Sequence, residues 1–168
     1  MDTVEIKVTP INEKVKMLLQ RQISVEQEAS QLYLAFSKMC EIKQYIGAKS
    51  YFEKQSLEER EHMDKVLNYL IDKDCTGIKL AKADEVLIEP ICLYDILVKY
   101  LEAEKKVTAS WKQVVEVSLS EKDFTSFTFS QWFVEEQISE EAKASNLIRQ
   151  HCTFGILGDM IVDKEMGK

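Results

Sequence analysis

The sequence predicts an all-α protein, a four-helix bundle with one long crossover and a short fifth helix at the C-terminus. Of the 168 residues, 45% are hydrophobic, enough for one domain, residues 1–168, to bury a core without disulfides. Only 5 Gly and 2 Pro are present, too few turn residues for an all-β fold. Four long segments carry apolar residues at helical spacing, and this periodicity predicts the bundle.

Local chemistry sets the ends of the predicted helices. Thr9 and Pro10 supply an N-cap and a proline in the first turn of the first helix. The third helix begins after Pro90, and Ser120, followed by Asp123 three residues later, is typical of the N-cap of the fourth. The predicted helices span residues 10–40, 45–73, 92–119, 121–152 and 156–165, each bound being approximate.

The connection between the second and third helices decides the topology. It has about 18 residues, whereas the other connections have roughly four or five. A helix of about 28 residues is roughly 42 Å long, and this connection can extend to about 60 Å. It can therefore run the whole length of the bundle, so that the second and third helices are parallel and the other neighbours antiparallel.

Charge and hydropathy limit the partners and the location. The chain carries 22 Lys+Arg and 29 Asp+Glu, a net charge of -7, so we expect no nucleic-acid partner. The first ten residues lack the apolar stretch of a secretory signal, and no run is long enough to span a membrane. Four scattered cysteines without a CxxC pair favour reduced thiols. We therefore expect a soluble, cytoplasmic protein.

Each of the four long helices carries one stripe of residues at alternating steps of three and four, the face expected to turn toward the bundle axis. The stripes begin and end at Val15 and Cys40, Ala48 and Tyr69, Leu93 and Val114, and Ser126 and His151. A carboxylate or amide interrupts each stripe near its midpoint. Two further polar residues, a histidine and a glutamate, follow three positions later on the second and fourth helices. The six interrupting residues are Glu26, Glu59, His62, Glu104, Gln137 and Glu140.

These polar residues predict a metal site. Burying one uncompensated carboxylate costs several kcal/mol, and no Lys or Arg lies on the stripes between their ends. Protonation or bound cations are the remaining remedies. Oxygen ligands with one imidazole suit Fe²⁺, Mn²⁺ or Zn²⁺, and the ligands suffice for two metals bridged by a shared carboxylate.

Less specific interpretations apply to single residues. A lone Glu-x-x-His has a high false-positive rate, and Gln22 and Gln55 can serve to fix helix register. Tyr33 and Trp111 are expected as core aromatics, and His151 as a solvated helix end. The agreement of four separate segments favours the metal site.

Several segments resemble bacterial-type non-haem ferritins, members of the ferritin-like di-iron family. The resemblance covers nearly the whole chain. QRQISVEQEASQLYLAFS (20–37) is similar to the first-helix signature and KQSLEEREHMDK (54–65) to the second. EAEKKV (102–107) and QWFVEEQISEE (131–141) resemble the third and fourth, and GILGDMIVDKEM (155–166) resembles the short fifth helix.

The resemblance implies a ferroxidase centre that oxidises Fe²⁺. In it Glu59 bridges two irons, while Glu26 and His62 bind the first. Glu104 and Gln137 bind the second. The implied set, including a tyrosine that hydrogen-bonds nearby, is Glu26, Tyr33, Glu59, His62, Glu104 and Gln137.

The resemblance also implies a third iron near this centre, for which the ligands here would be Glu58, Glu136 and Glu140, although Ser139 stands where another acid is common in the family. The fourth helix has no second Glu-x-x-His, so we expect the second iron to be held loosely. Arg60 replaces the methionine that binds haem in bacterioferritins, so no haem is expected.

The resemblance also implies iron storage. The chain would self-associate into a hollow homo-oligomeric shell of about 24 subunits, as the resemblance implies. It would oxidise Fe²⁺ with O₂ or H₂O₂ and deposit Fe³⁺ as mineral inside. Two alternatives remain at this point: a shell that buffers iron without catalysis, and a metal-free helical interaction protein.

Overall fold

A computed structural model of the chain describes residues 8–82 and 84–168. Within them the chain is helical, with no strand, and the predicted all-α class is confirmed. Residues 1–7, where the sequence predicts no secretory signal, lie outside the described part. The elements are α1 (Glu13–Ile42), α2 (Ile46–Asp72), α3 (Leu93–Ser120), α4 (Phe124–Phe154), a 3₁₀ turn (Gly155–Leu157) and α5 (Gly158–Met166).

Two predicted helix starts are wrong. Helix α1 begins after Asn12, whose side chain accepts a hydrogen bond from the Lys14 amide. Helix α4 is capped by Asp123, which accepts from the Ser126 amide at 3.1 Å, while Ser120 ends α3. The Asn12 amide also donates to Asp123 Oδ2 at 3.1 Å. This tertiary contact joins the two helix starts, and local capping rules do not include it.

The four long helices pair in the predicted topology. Ser30 contacts Ser56 and Ser37 contacts the backbone of Lys49, so α1 and α2 are antiparallel. The crossover, residues 73–92, runs along α1: Gln20 hydrogen-bonds the backbone of Lys79, and Gln31 that of Asp84. It returns the chain to the starting end of α2, so α2 and α3 are parallel. Helix α5 packs against α2 and α4.

The stripes predicted from the sequence face the interior. Every stripe residue is buried except Tyr69, His62 and His151, which are half-buried. Aromatic rings fill the core on either side of the midpoint acids. They are Tyr33, Phe36, Phe52 and Tyr100 on one side and Trp111, Phe129 and Phe133 on the other. Because the stripes are buried, their polar residues must find partners inside the bundle.

None of the described helices has an apolar stretch long enough to cross a bilayer.

Candidate metal centre

Three of the predicted ligands meet at the centre of the bundle. Glu26 on α1 and Glu59 and His62 on α2 each offer one ligand atom, and these atoms lie within 4.8 Å of one another. The His62 ring nitrogen Nδ1 is 3.1 Å from Glu59 Oε2. Both carboxylates are buried, and the His62 side chain is 12% exposed. We call these three residues the metal cluster.

The surroundings of the metal cluster disfavour negative charge. Burial, together with the charge of Glu59, raises the pKa of Glu26 well above its usual range. Burial likewise raises the pKa of Glu59 to about 8. In the described part of the chain, no Lys or Arg side chain pairs with either carboxylate. A proton or a metal ion therefore has to neutralise the cluster.

Glu104 and Gln137 form a second polar group beside the metal cluster. Gln137 Nε2 donates to Glu104 Oε2 at 2.8 Å, and the Tyr33 hydroxyl donates to Glu104 Oε1 at 2.6 Å. Burial raises the pKa of Glu104 to about 7 although both hydrogen bonds oppose the shift. The tyrosine predicted to hydrogen-bond near the centre does so, and Gln137 contacts Glu104 rather than the metal cluster.

Glu140 differs from the other buried acids. Its Oε1 accepts from Lys143 Nζ at 2.6 Å and its Oε2 from the Tyr100 hydroxyl at 3.1 Å. The expectation that all the stripe acids lack a basic partner is therefore wrong for this one. Lys143 lies off the stripe, but one helical turn brings its half-exposed ammonium group to Glu140. We call these two residues the lysine pair.

The acids implied for a third iron surround the same lysine. Glu58 is exposed and accepts from the Gln55 amide, and Glu136 is half-buried. Partial burial acts to lower the pKa of Lys143, but the hydrogen bond to Glu140 and the charges of Glu58 and Glu136 outweigh it and raise the pKa. Burial and the charge of Glu140 raise the pKa of Glu58. An ammonium group thus lies next to the place implied for a third metal.

Three of the less specific interpretations need revision. Trp111 is a core aromatic, but its indole nitrogen also donates to Glu26 Oε1 at 2.7 Å. Gln22 Nε2 donates to the same oxygen at 2.7 Å. Gln22 therefore hydrogen-bonds a residue of the metal cluster, besides any role in fixing helix register. His151 is not a solvated helix end, because its Nε2 lies 2.7 Å from Asp159 Oδ1 and joins α4 to α5. These hydrogen bonds were hard to predict from the sequence, because each partner residue lies on another helix or one helical turn away.

The fold and sequence are similar to known ferritins. The chain is 33% identical over 132 residues to a bacterial non-heme ferritin of Campylobacter jejuni, covering 79% of this chain and 78% of that protein. It is 29% identical over 159 residues to a probable bacterial non-heme ferritin-like protein of Haemophilus influenzae, with coverages of 94% and 96%. An open pore ferritin from the hyperthermophilic archaeon Archaeoglobus fulgidus matches with a TM-score of 0.88 and 28% identity, covering 94% and 98% of the two chains.

The family model described as a ferritin-like domain matches residues 16–151. That range includes the midpoints of all four long helices and every residue of the metal cluster. The chain therefore belongs to the ferritin family.

Proposed function

We propose that this protein stores iron and oxidises Fe²⁺ at a centre inside each subunit. One observation carries the proposal: two buried carboxylates and an imidazole converge within 4.8 Å with no basic side chain paired to them in the described residues. Carboxylates and one imidazole suit divalent iron. The relatives named non-heme ferritin support iron as the metal rather than Mn²⁺ or Zn²⁺.

In this proposal iron is the substrate. Glu26 and His62 bind the first Fe²⁺, and Glu59, whose carboxylate lies beside both of them, bridges it to the second. Glu104 and Gln137 bind the second ion after giving up their mutual hydrogen bond. That exchange supports loose binding at the second position, which lets the oxidised ion leave.

The oxidation transfers one electron from each of two Fe²⁺ ions to one O₂, which takes up two protons and leaves as H₂O₂. H₂O₂ can serve as the oxidant in the same way, taking two electrons and two protons to give two water molecules. Metal binding supplies protons, because Glu59 and Glu104 have raised pKa values and must lose their protons to become ligands.

We assign two irons to each subunit and not three. The ammonium group of Lys143 already neutralises Glu140 and lies near Glu58 and Glu136. A third cation at this place would have to displace it against charge repulsion. Glu58, Glu136 and Glu140 are therefore not ligands in this proposal, which departs here from what the family resemblance implies.

Storage requires a closed shell of many copies, which the resemblance puts at 24. Exposed apolar side chains on α5 and the turn before it support self-association: Ile156 is fully exposed and Met160 is 64% exposed. Size-exclusion chromatography tests this part, because a free 19.5 kDa monomer would leave no cavity for a mineral.

The catalytic part is tested by stopped-flow oxidation of Fe²⁺ in air. We expect Glu59→Ala and His62→Ala to abolish the fast phase, and Glu102→Ala, an exposed acid on α3, to retain it. Unchanged rates in the first two variants would contradict the proposed centre. Iron loading without a fast oxygen-consuming phase in the parent would indicate a passive iron buffer. Purified protein that binds neither Fe²⁺ nor Zn²⁺ would indicate a metal-free interaction module.

A further inference from the structure

Two hydrogen-bond donors converge on a single oxygen of Glu26. Trp111 Nε1 and Gln22 Nε2 each donate to Oε1 at 2.7 Å. The other oxygen, Oε2, is fully buried and accepts no hydrogen bond from an amide, indole or alcohol donor among residues 8–82 and 84–168, and the Glu59 carboxyl group is the polar neighbour of Glu26. A buried carboxylate oxygen without a partner is costly, so the two oxygens have different roles.

The chemistry of the two donors fixes this arrangement. An indole nitrogen can only donate. The Gln22 amide could in principle turn either way, but Ser110 Oγ donates to Gln22 Oε1 at 2.6 Å, which leaves the NH₂ group facing Glu26. The two donors use the accepting capacity of Oε1. Only Oε2 is left to accept a cation.

The donors belong to a rigid part of the core. Trp111 is 1% exposed, and its ring stacks on Phe133 with centroids 3.8 Å apart and an interplanar angle of 10°. Phe133 also meets the His62 ring edge-on at 5.7 Å. Ser110 and Trp111 are consecutive on α3. Helix α3 therefore orients the Glu26 carboxylate, which belongs to α1. The carboxylate of Glu26 is thus oriented before any metal arrives.

We propose that Trp111, acting with Gln22, is a positioning residue that makes Glu26 a one-oxygen ligand through Oε2. The inference rests on the proposed metal function and adds the residues that set its geometry. Partners of metal ligands typically change metal affinity about 10- to 100-fold when removed. Without the Trp111 N–H, Oε1 keeps only the Gln22 amide as a donor, so one of its accepting positions becomes available and Glu26 can bind the same ion through both oxygens.

The test uses redox-inert Zn²⁺ and spectroscopic Co²⁺ with the full-length protein. We expect Trp111→Phe, which keeps a stacking ring but removes the N–H, to weaken Zn²⁺ binding at the tighter site about 10-fold or more. Two-oxygen binding by Glu26 would raise the coordination number of Co²⁺, so the visible d–d absorption should fall. Tyr69→Phe is the matched control, because it removes the polar group of an aromatic side chain whose hydroxyl lies 2.9 Å from Ser126 Oγ, away from the cluster.

The outcomes separate the two proposals. If the parent binds no Zn²⁺ or Co²⁺, the proposed function and this inference both fail. If the parent binds both metals and Trp111→Phe keeps its affinity and its Co²⁺ spectrum, the positioning role fails while the function stands. Should Trp111→Phe not fold, Gln22→Met removes the other donor, and parental Zn²⁺ affinity in that variant would overturn the inference.

Discussion

The metal cluster and the lysine pair are two solutions to the same physical problem. Glu59 and Glu140 are both buried in stripes of the same bundle, one 1% and the other 3% exposed. Glu140 has an ammonium group 2.6 Å away, whereas the charged or titratable groups around Glu59 in the described part of the chain are an imidazole and other carboxyl groups. The difference shows that burial of an acid does not by itself indicate a metal site. Where no lysine or arginine is within reach, a proton or a metal ion has to neutralise the acid.

The two regions should therefore respond in opposite ways to removal of charge. In the metal cluster, the charged form of the acids opposes folding until a cation binds, so a neutral side chain should stabilise the metal-free protein. In the lysine pair, the protein supplies its own cation, and removal of that cation leaves a buried carboxylate without a charge partner.

The largest expected effect is that of Glu59→Gln on stabilisation by metal. Zn²⁺ at about 100 times its Kd should stabilise the parent by about 2.7 kcal/mol. The variant keeps the shape of the side chain but loses the carboxylate that we propose as the bridging ligand, so this stabilisation should vanish. Thermal unfolding with and without Zn²⁺ measures it, and a full metal-induced rise in Tm in the variant would remove Glu59 from the site.

The pH dependence of metal-free stability should be an effect of comparable size, up to about 4 kcal/mol in all between pH 5 and pH 8. The unfolded chain releases the Glu59 proton near pH 4.3, whereas the folded protein holds it to about pH 8. The folded state therefore binds more protons between these values, and stability falls as pH rises through this window. The decline should be at most about 1.4 kcal/mol per pH unit for one group.

Glu59→Gln again provides the comparison for this pH effect. Its neutral amide does not titrate, so in EDTA its advantage over the parent should grow from pH 5 to pH 8 and then level off. Urea unfolding at several pH values measures the difference. A constant difference across that range would contradict the raised pKa of Glu59.

A smaller effect is expected in the lysine pair. Lys143→Met should destabilise the protein by about 1–3 kcal/mol, since buried Glu140 then has, among the described residues, the Tyr100 hydroxyl at 3.1 Å, and that hydroxyl also donates to Gln55 Oε1 at 2.6 Å. Glu140→Gln should cost less, about 1 kcal/mol or below, because the Lys143 side chain is 50% exposed and can be solvated. Equal losses in the two variants, measured by urea unfolding, would argue against this asymmetry.

The expected effect with the narrowest pH range concerns Tyr33, which hydrogen-bonds Glu104. Tyr33→Phe removes the hydroxyl that donates to Glu104 Oε1 at 2.6 Å, and a hydrogen bond of this kind contributes about 1–3 kcal/mol. The loss should be seen mainly above pH 7, where Glu104 is ionised. A pH-independent loss would show that the hydroxyl matters only for packing.

The spacing of residues along each helix predicted which side chains would be buried, and it did so for polar residues as well as apolar ones. Glu26, Glu59 and Glu104 were found because a step of three or four places them on the apolar stripe. Lys143 was missed because its backbone position is off the stripe, while its flexible stem reaches back to it. Trp111 was predicted as core, but its hydrogen bond to Glu26 depends on how α3 packs against α1.

By itself, then, the sequence determined the helices, their parallel or antiparallel order and the buried midpoint acids, because these depend on periodicity and connection length. Only the tertiary structure decided which acid receives a lysine, which oxygen of Glu26 is left free and where helices α1 and α4 begin. Those outcomes depend on distances of a few ångströms between side chains of different helices. Such distances follow from packing, and no single helix encodes them.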